Sequence, residues 1–210
     1  MTAVIVNSSH PESNPQMPPD TRQRMIEGAV RLLALHGLQE TSFSTVLELT
    51  GAPRGSIYHH FPRGKDEMIA SAVDLAGQNA NAAIDGFDRS TAVSLATAFL
   101  GLWRQLLVRS EFRAGCSVLA VTVATDSPDL LEHTSAVFRG WRRHLADLLA
   151  EAGLPADTGA RFSAALVAGA EGGVVLSRAE HDLEPFELVA ADLLDRAAQL
   201  DAMVGRAPAA

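Results

Sequence analysis

The chain has 210 residues and a mass of 22.2 kDa, room for one ordinary domain or a small domain joined to a moderate one. Hydrophobic residues make up 47% and aromatics 5%, and the abundance of Ala and Leu favours helices packed on helices, so the expected fold class is all-α. A net charge of -8 excludes a whole-molecule basic field, and the single cysteine, Cys116, excludes an internal disulfide framework and a multi-cysteine zinc site.

The charge is unevenly placed. Between Asp20 and Asp66 stand six basic residues (Arg22, Arg24, Arg31, Arg54, Arg63, Lys65) and five acidic ones (Asp20, Glu27, Glu40, Glu48, Asp66), a balance of +1 that leaves the rest of the chain at about -9. Cys116 to Ala124 is too short to span a bilayer, and Glu171 interrupts the later Ala/Gly/Val stretch. With no basic segment leading into an apolar one at the amino terminus, the expectation is a cytoplasmic protein with no membrane partner.

Residues 1–19 carry Pro11, Pro15, Pro18 and Pro19 among Ser, Asn, His and Gln, a composition that predicts a mobile arm. Asp20 is placed to cap a first helix, with Gln23 at capping-box spacing, and Met25, Ile26, Ala29, Val30 and Leu33 repeat at helical intervals until Gly37 ends it. Thr41 is the next cap candidate, before Phe43, Val46 and Leu47, and this short helix stops near Gly51. Ala52-Pro53 turns the chain into a third short helix, about 53–60, which Phe61-Pro62-Arg63-Gly64 terminates. Lys65 opens a long helix with Ile69, Ala72, Val73 and Ala76 on one face. Two short helices joined by a Gly-containing turn predict a helix-turn-helix.

Beyond residue 90 the apolar period stays near 3.6. Leu95, Phe99, Leu102 and Leu106 mark one helix, and Thr134, Val137, Phe138, Trp141, Leu145, Leu148 and Leu149 mark another that ends at Gly153 and Pro155. Phe162, Ala165, Leu166 and Gly169 continue the pattern, and Phe186, Val189, Ala190, Leu193, Leu194 and Ala197 give the cleanest stripe. Residues 118–125 are rich in β-branched side chains and fit a buried strand by periodicity, but a lone strand would have no partner, so a helix is expected there too.

The stretch from Gly37 to Phe61, GLQETSFSTVLELTGAPRGSIYHHF, resembles the DNA-reading core of the TetR family, with the run Gly55-Ser56-Ile57-Tyr58-His59-His60-Phe61 and Lys65 after it. Ala52-Pro53-Arg54-Gly55, Gly115-Cys116-Ser117-Val118 and Glu171-Gly172 are similar to the branch containing the LmrA and YxaF regulators. Two positions depart from the commoner family pattern: Leu47 where Ala is usual, and Pro53 where a Ser or Thr often caps the third helix. The resemblance implies about nine helices, divided into a helix-turn-helix DNA-binding domain at 20–66 and a helical ligand-binding and dimerisation domain at 67–204. It implies a dimeric repressor of a palindromic double-stranded operator, released by a small, largely apolar effector, with no cofactor or metal.

A recognition helix must present small or polar residues at its front to enter the major groove. Gly55 and Ser56 meet that need, Arg54 suits a guanine edge or a phosphate, and Tyr58, His59 and His60 occupy the next turn. Thr41, Ser42, Ser44 and Lys65 are candidate phosphate anchors. Adjacent histidines on a helix diverge by about 100° and lack thiol or carboxylate companions, which disfavours metal; Ile57 and Phe61 read as core, and Tyr58 as either a DNA contact or the edge of the core.

Within the body, the candidate pocket residues are Trp103, Leu106, Phe112, Cys116, Val121, Thr122, Phe138, Trp141, His144 and Glu171. The candidate dimer seam combines Phe162, Ala165, Gly169 and Gly173 with Phe186, Val189, Ala190, Leu193, Leu194 and Ala197. The alternative for each is ordinary core. Gly64-Lys65 is followed by Asp66, not Ser or Thr, and neither H-E-x-x-H nor G-x-S-x-G occurs, so an enzyme finds no motif. A helical interaction module and a ligand-independent regulator remain the competing readings.

Overall fold

In the computed structural model the described residues are 21–205; the proline-rich stretch 1–19 and the expected Asp20 cap lie outside them. All regular structure among the described residues is helical: α1 Thr21–Glu40, α2 Phe43–Thr50, a 3-10 turn Arg54–Ser56 running into α3 Ile57–His60, α4 Lys65–Asp85, α5 Ala92–Arg109, α6 Ser117–Thr122, α7 Pro128–Glu151, α8 Ala156–Glu180 and α9 Glu184–Val204.

Helix α1 buries Met25, Ile26, Ala29, Leu32 and Leu33 on one face. Gly37 breaks its geometry as expected, at φ 78, but the chain then makes one more helical turn to Glu40, so the helix is kinked there and ends later. The expected cap of α2 shifts by one residue. Thr41 is fully buried and turns its Oγ1 back to donate to the Gly37 carbonyl at 2.8 Å. Ser42, in extended geometry, is the cap: its Oγ accepts from the Thr45 N–H at 3.2 Å, while Thr45 Oγ1 accepts from the Ser42 N–H at 2.9 Å. Gly28 lets α2 cross close over α1, since a Cβ there would lie 2.5 Å from Thr50 Cγ2.

The segment considered as strand or helix folds as α6, and α6 packs against α1, α4 and α7. Helix α7 lies along α4 in the same direction. Asp74 pairs with His133 at 2.9 Å and Asp85 with His144 at 3.0 Å, each partner eleven residues further along its helix. Between these pairs Trp141 Nε1 donates to the Gly77 carbonyl at 3.3 Å. The far end of α9 closes on α5: the Asp201 carboxylate accepts from the Ala92 and Val93 N–H groups at 2.8 and 3.0 Å, satisfying donors the first helical turn would leave open.

Helix α8 exceeds what the sequence promised. Its 25 residues are long and apolar enough by composition to cross a membrane, despite Glu171, but half of its most apolar window is buried against the other helices, as in the core helix of a globular bundle.

Candidate nucleic-acid interface

The turn and helix at 54–60 make a short amphipathic projection. Ile57 and the following Phe61 are buried, and Phe61 sits under the Arg22 guanidinium, 5.3 Å from its ring centroid. Arg22 also donates to Ser71 Oγ at 3.2 Å, tying α1 to α4 behind the projection. Outward from this anchor point Arg54, Gly55, Tyr58 and His59, all exposed, with Ser56 and His60 half-buried. Tyr58 is 76% exposed, which removes the core-edge reading, and its ring meets Phe43 edge-on at 6.4 Å. The front of the projection is a 3-10 turn, because Pro53 leads into it extended and offers no side-chain cap. Ser56 Oγ instead ties itself to the start of the turn by donating to the Pro53 carbonyl at 2.7 Å.

Around this tip, Ser44 is exposed and Ser42 half-buried. Thr41 is withdrawn: a fully buried hydroxyl bonded to the backbone presents nothing to a phosphate, and Thr45 in the capping box was overlooked. Lys65 stands at the start of α4, with its ammonium donating to the Leu38 carbonyl at 3.1 Å. That bond closes the kinked end of α1 and places the charge beside the reading elements.

The structure gathers only part of the expected pocket. Trp103, Leu106 and Trp141 line an apolar cavity of about 160 Å³ between α4, α5 and α7, with Ile84, Phe99 and Leu102. Phe138 packs edge-on to Trp141 at 5.4 Å. The others lie elsewhere. His144 turns to Asp85, Thr122 donates to the Val118 carbonyl, Val121 is core, and Phe112 is half-buried against His181.

Cys116 and Glu171 are buried neighbours, and neither carboxylate oxygen of Glu171 has a hydrogen-bond partner among the described residues. Burial pushes the Glu171 carboxyl up to about 7, and the adjacent Cys116 thiol offsets this only weakly. That thiol lies beside the carboxylate without forming a hydrogen bond to it, so the contact is electrostatic. Burial, reinforced by the Glu171 charge, raises the Cys116 thiol well above its ordinary value, which keeps it protonated and unreactive at neutral pH.

The expected dimer seam needs correction. Phe162, Gly173, Phe186, Ala190, Leu193 and Ala197 are buried within one chain, where α8 meets α9. A Cβ at Gly169 would lie 2.9 Å from Leu193 Cδ1 and 3.2 Å from Val189 Cγ1, so these residues too belong to the internal seam. Val189, Leu194 and Ala165 remain half-buried at its margins. The outward face of α8 is formed instead by Ala168, Gly172, Val175, Leu176 and Ala179, all exposed, with Leu188 and Ala191 exposed on α9.

A core-anchored helix-turn-helix head on a helical body defines a DNA-binding transcription regulator. Residues 25–72 match the model of the bacterial regulatory proteins of the tetR family, and residues 92–192 match the C-terminal domain of LmrA/YxaF-like transcriptional regulators. The chain is 35% identical over 175 residues to the uncharacterized HTH-type transcriptional regulator Rv0196 of Mycobacterium tuberculosis, covering 80% of this chain and 89% of that one. It is 30% identical to the uncharacterized HTH-type regulator YxaF of Bacillus subtilis, covering 81% and 92%. A TetR transcriptional regulator from Legionella pneumophila shares the fold, with a TM-score of 0.76 at 18% identity over 86% of this chain and 98% of that one. The chain therefore belongs to the TetR family, in its LmrA/YxaF-like branch, and is a regulator of transcription, not an enzyme.

Proposed function

We propose that the protein is a cytoplasmic repressor that binds a palindromic operator as a dimer and is released by a small, largely apolar effector. The observation that carries this is the projection at 54–60: its apolar side is fixed in the core while Arg54, Gly55, Tyr58 and His59 face outward together. Arg54 reads a base edge, and Tyr58, His59, His60, Ser42, Ser44 and Lys65 hold phosphates to either side. Residues 20–66 form the reading domain and 67–204 the body.

One such projection buries too little surface for a specific complex, so two copies are required. The outward faces of α8 and α9 supply the contact. Ala168 and Gly172 allow close approach, and Val175, Leu176 and Leu188, at 48, 49 and 66% exposure, provide apolar area to bury. The effector enters the cavity bordered by Trp103, Leu106 and Trp141. At about 160 Å³ it is smaller than the roughly 300 Å³ of ordinary ligand sites, so an effector must part α4 from α7. Helix α4 begins at Lys65, next to the reading helix, and its displacement changes the spacing of the two heads; the effector thus binds the DNA-incompetent spacing better.

Footprinting of the purified protein on the intergenic DNA upstream of its own gene tests the reading. Two symmetric half-sites about 34–36 Å apart, or a multiple of that, are expected, with protection falling steeply as salt rises. Protection without symmetry, or none at low salt, contradicts it.

A further inference from the structure

A groove of about 630 Å³ lies away from the apolar cavity and shares no lining residue with it. Three segments wall it: the end of α1 at Leu35 and His36, the turn after α5 at Phe112 and Arg113, and the end of α8 at Val175, Arg178, Ala179 and His181; Val175 and Ala179 belong also to the outward α8 face proposed for the dimer, so the groove borders that contact. Its volume falls in the range of small-molecule sites, roughly 300–1,000 Å³. The lining carries two guanidiniums and two imidazoles and no carboxylate, in a chain whose net charge is -8.

Arg178 is held in place without an ion pair among the described residues, and Arg113 by its Nε donating to the Ser110 carbonyl at 3.2 Å. Arg178 Nη2 donates to the Arg113 carbonyl at 3.1 Å, its Nε is buried with no partner, and among the described residues it makes no ion pair. Gly115 lies against it: a Cβ there would come within 2.6 Å of Nη1, so only a glycine lets the guanidinium pack this close to the backbone. The Gly115 N–H in turn donates to the Ala34 carbonyl at 2.9 Å, which fastens this floor to α1. Arg113 is exposed and meets a carboxylate only at Glu111, 3.8 Å away.

The backbone is unusual at the same place. Among the described residues, the non-glycine positions in the left-handed region are Glu111, Phe112 and His181, at φ 52, 59 and 51. Such positions end helices: His181 is the left-handed cap of α8, and Glu111-Phe112 is the turn that closes α5, with the Phe112 N–H donating to the Leu107 carbonyl at 2.9 Å. Here the two arms converge to set the Phe112 ring edge-on to His181, with centroids 6.2 Å apart, as an aromatic corner of the groove.

We propose that this groove binds a small aromatic anion, with its carboxylate or similar oxyanion on Arg178 and Arg113 and its ring against Phe112 and His181. Fixed guanidiniums recognise a planar oxyanion by paired, charge-assisted hydrogen bonds. Such a ligand touches α1 and α8 together, so it bridges the reading head and the body.

The test is calorimetric titration of the full-length protein, without DNA, with 2-naphthoate and with its neutral counterpart 2-naphthamide. Working without DNA makes the outcome independent of the operator reading. The naphthoate is expected to bind once per chain and about tenfold or more tighter than the amide, the margin of one charge-assisted contact. Arg178→Gln and the exposed Arg113→Gln should each abolish that preference, whereas Trp103→Leu, in the apolar cavity, should leave it intact. Should Arg178→Gln fail to fold, Arg113→Gln decides alone. No heat from naphthoate up to millimolar concentration, equal binding of acid and amide, a preference that survives Arg113→Gln, or one that is lost in Trp103→Leu would each overturn the proposal.

Discussion

The reading head and the back of the body leave opposite kinds of side chain in solvent. At the head, Ile57 and Phe61 go inside and Arg54, Tyr58 and His59 stay out; on α8, Phe162, Leu166 and Val174 go inside and Ala168, Gly172, Val175 and Leu176 stay out. An exposed polar tip is compatible with water until DNA arrives, while an exposed face of small apolar residues calls for a protein partner. The residues that make each element a helix are thus not those that make each surface useful.

Breaking the core of the body should cost most. Phe186→Ala removes a fully buried ring from the α8–α9 seam and is expected to lower stability by about 3–5 kcal/mol, read from the urea midpoint. Tyr58→Ala, at the exposed tip, should shift the same midpoint by less than about 0.5 kcal/mol. If the two losses were alike, the contrast between interior and surface would collapse.

The pH profile sharpens the comparison within the body. Glu171 is pushed from an ordinary 4.5 to about 7 by burial, so the folded chain binds a proton there that the unfolded chain has already released. Its raised value therefore costs stability as pH climbs through that window, by on the order of 1.4 kcal/mol per pH unit at most, and the cost is complete above about 7. Glu171→Gln should remove this decline, so variant and wild type diverge between pH 4.5 and 7; parallel curves would show that the carboxyl is not desolvated.

A modest effect belongs to the cap of the head's second helix. Ser42→Ala deletes one half of the capping box of α2 and should lower the melting free energy by about 1 kcal/mol, whereas Thr41→Val should leave that cap intact. Equal effects on the cap would restore Thr41 to the role the sequence offered it.

The head was legible because its signals are local. Gly51, Pro53 and the run from Gly55 to Phe61 fix a turn and a short helix within a few residues of one another, and the structure places both there. Choosing between Thr41 and Ser42 as cap was not possible from residue type, since both hydroxyls suit the role and only the kink at Gly37 decides which one faces forward.

In the body, periodicity correctly marked the long helices but could not say what their apolar stripes face. The most regular stripe, Phe186 to Ala197, is buried in its own chain because large apolar residues serve the nearest core first. The outward face mixes Ala and Gly, which barely register as hydrophobic in a sequence, with Val175, Leu176 and Leu188, which no regular stripe singles out. Contacts between distant positions were invisible for a simpler reason: Asp201 on the start of α5, His133 and His144 on α4, and Arg178 over Gly115 depend on how helices are stacked.

The most direct measurement of the central claim is operator affinity for Arg54→Ala against wild type, by fluorescence anisotropy at fixed salt, with thermal melts alongside. If the projection at 54–60 enters the major groove, specific binding weakens by about 1–3 kcal/mol while non-specific binding and the melt hardly change. Unaltered affinity for the operator in an equally stable variant would mean that this exposed tip does not read the DNA.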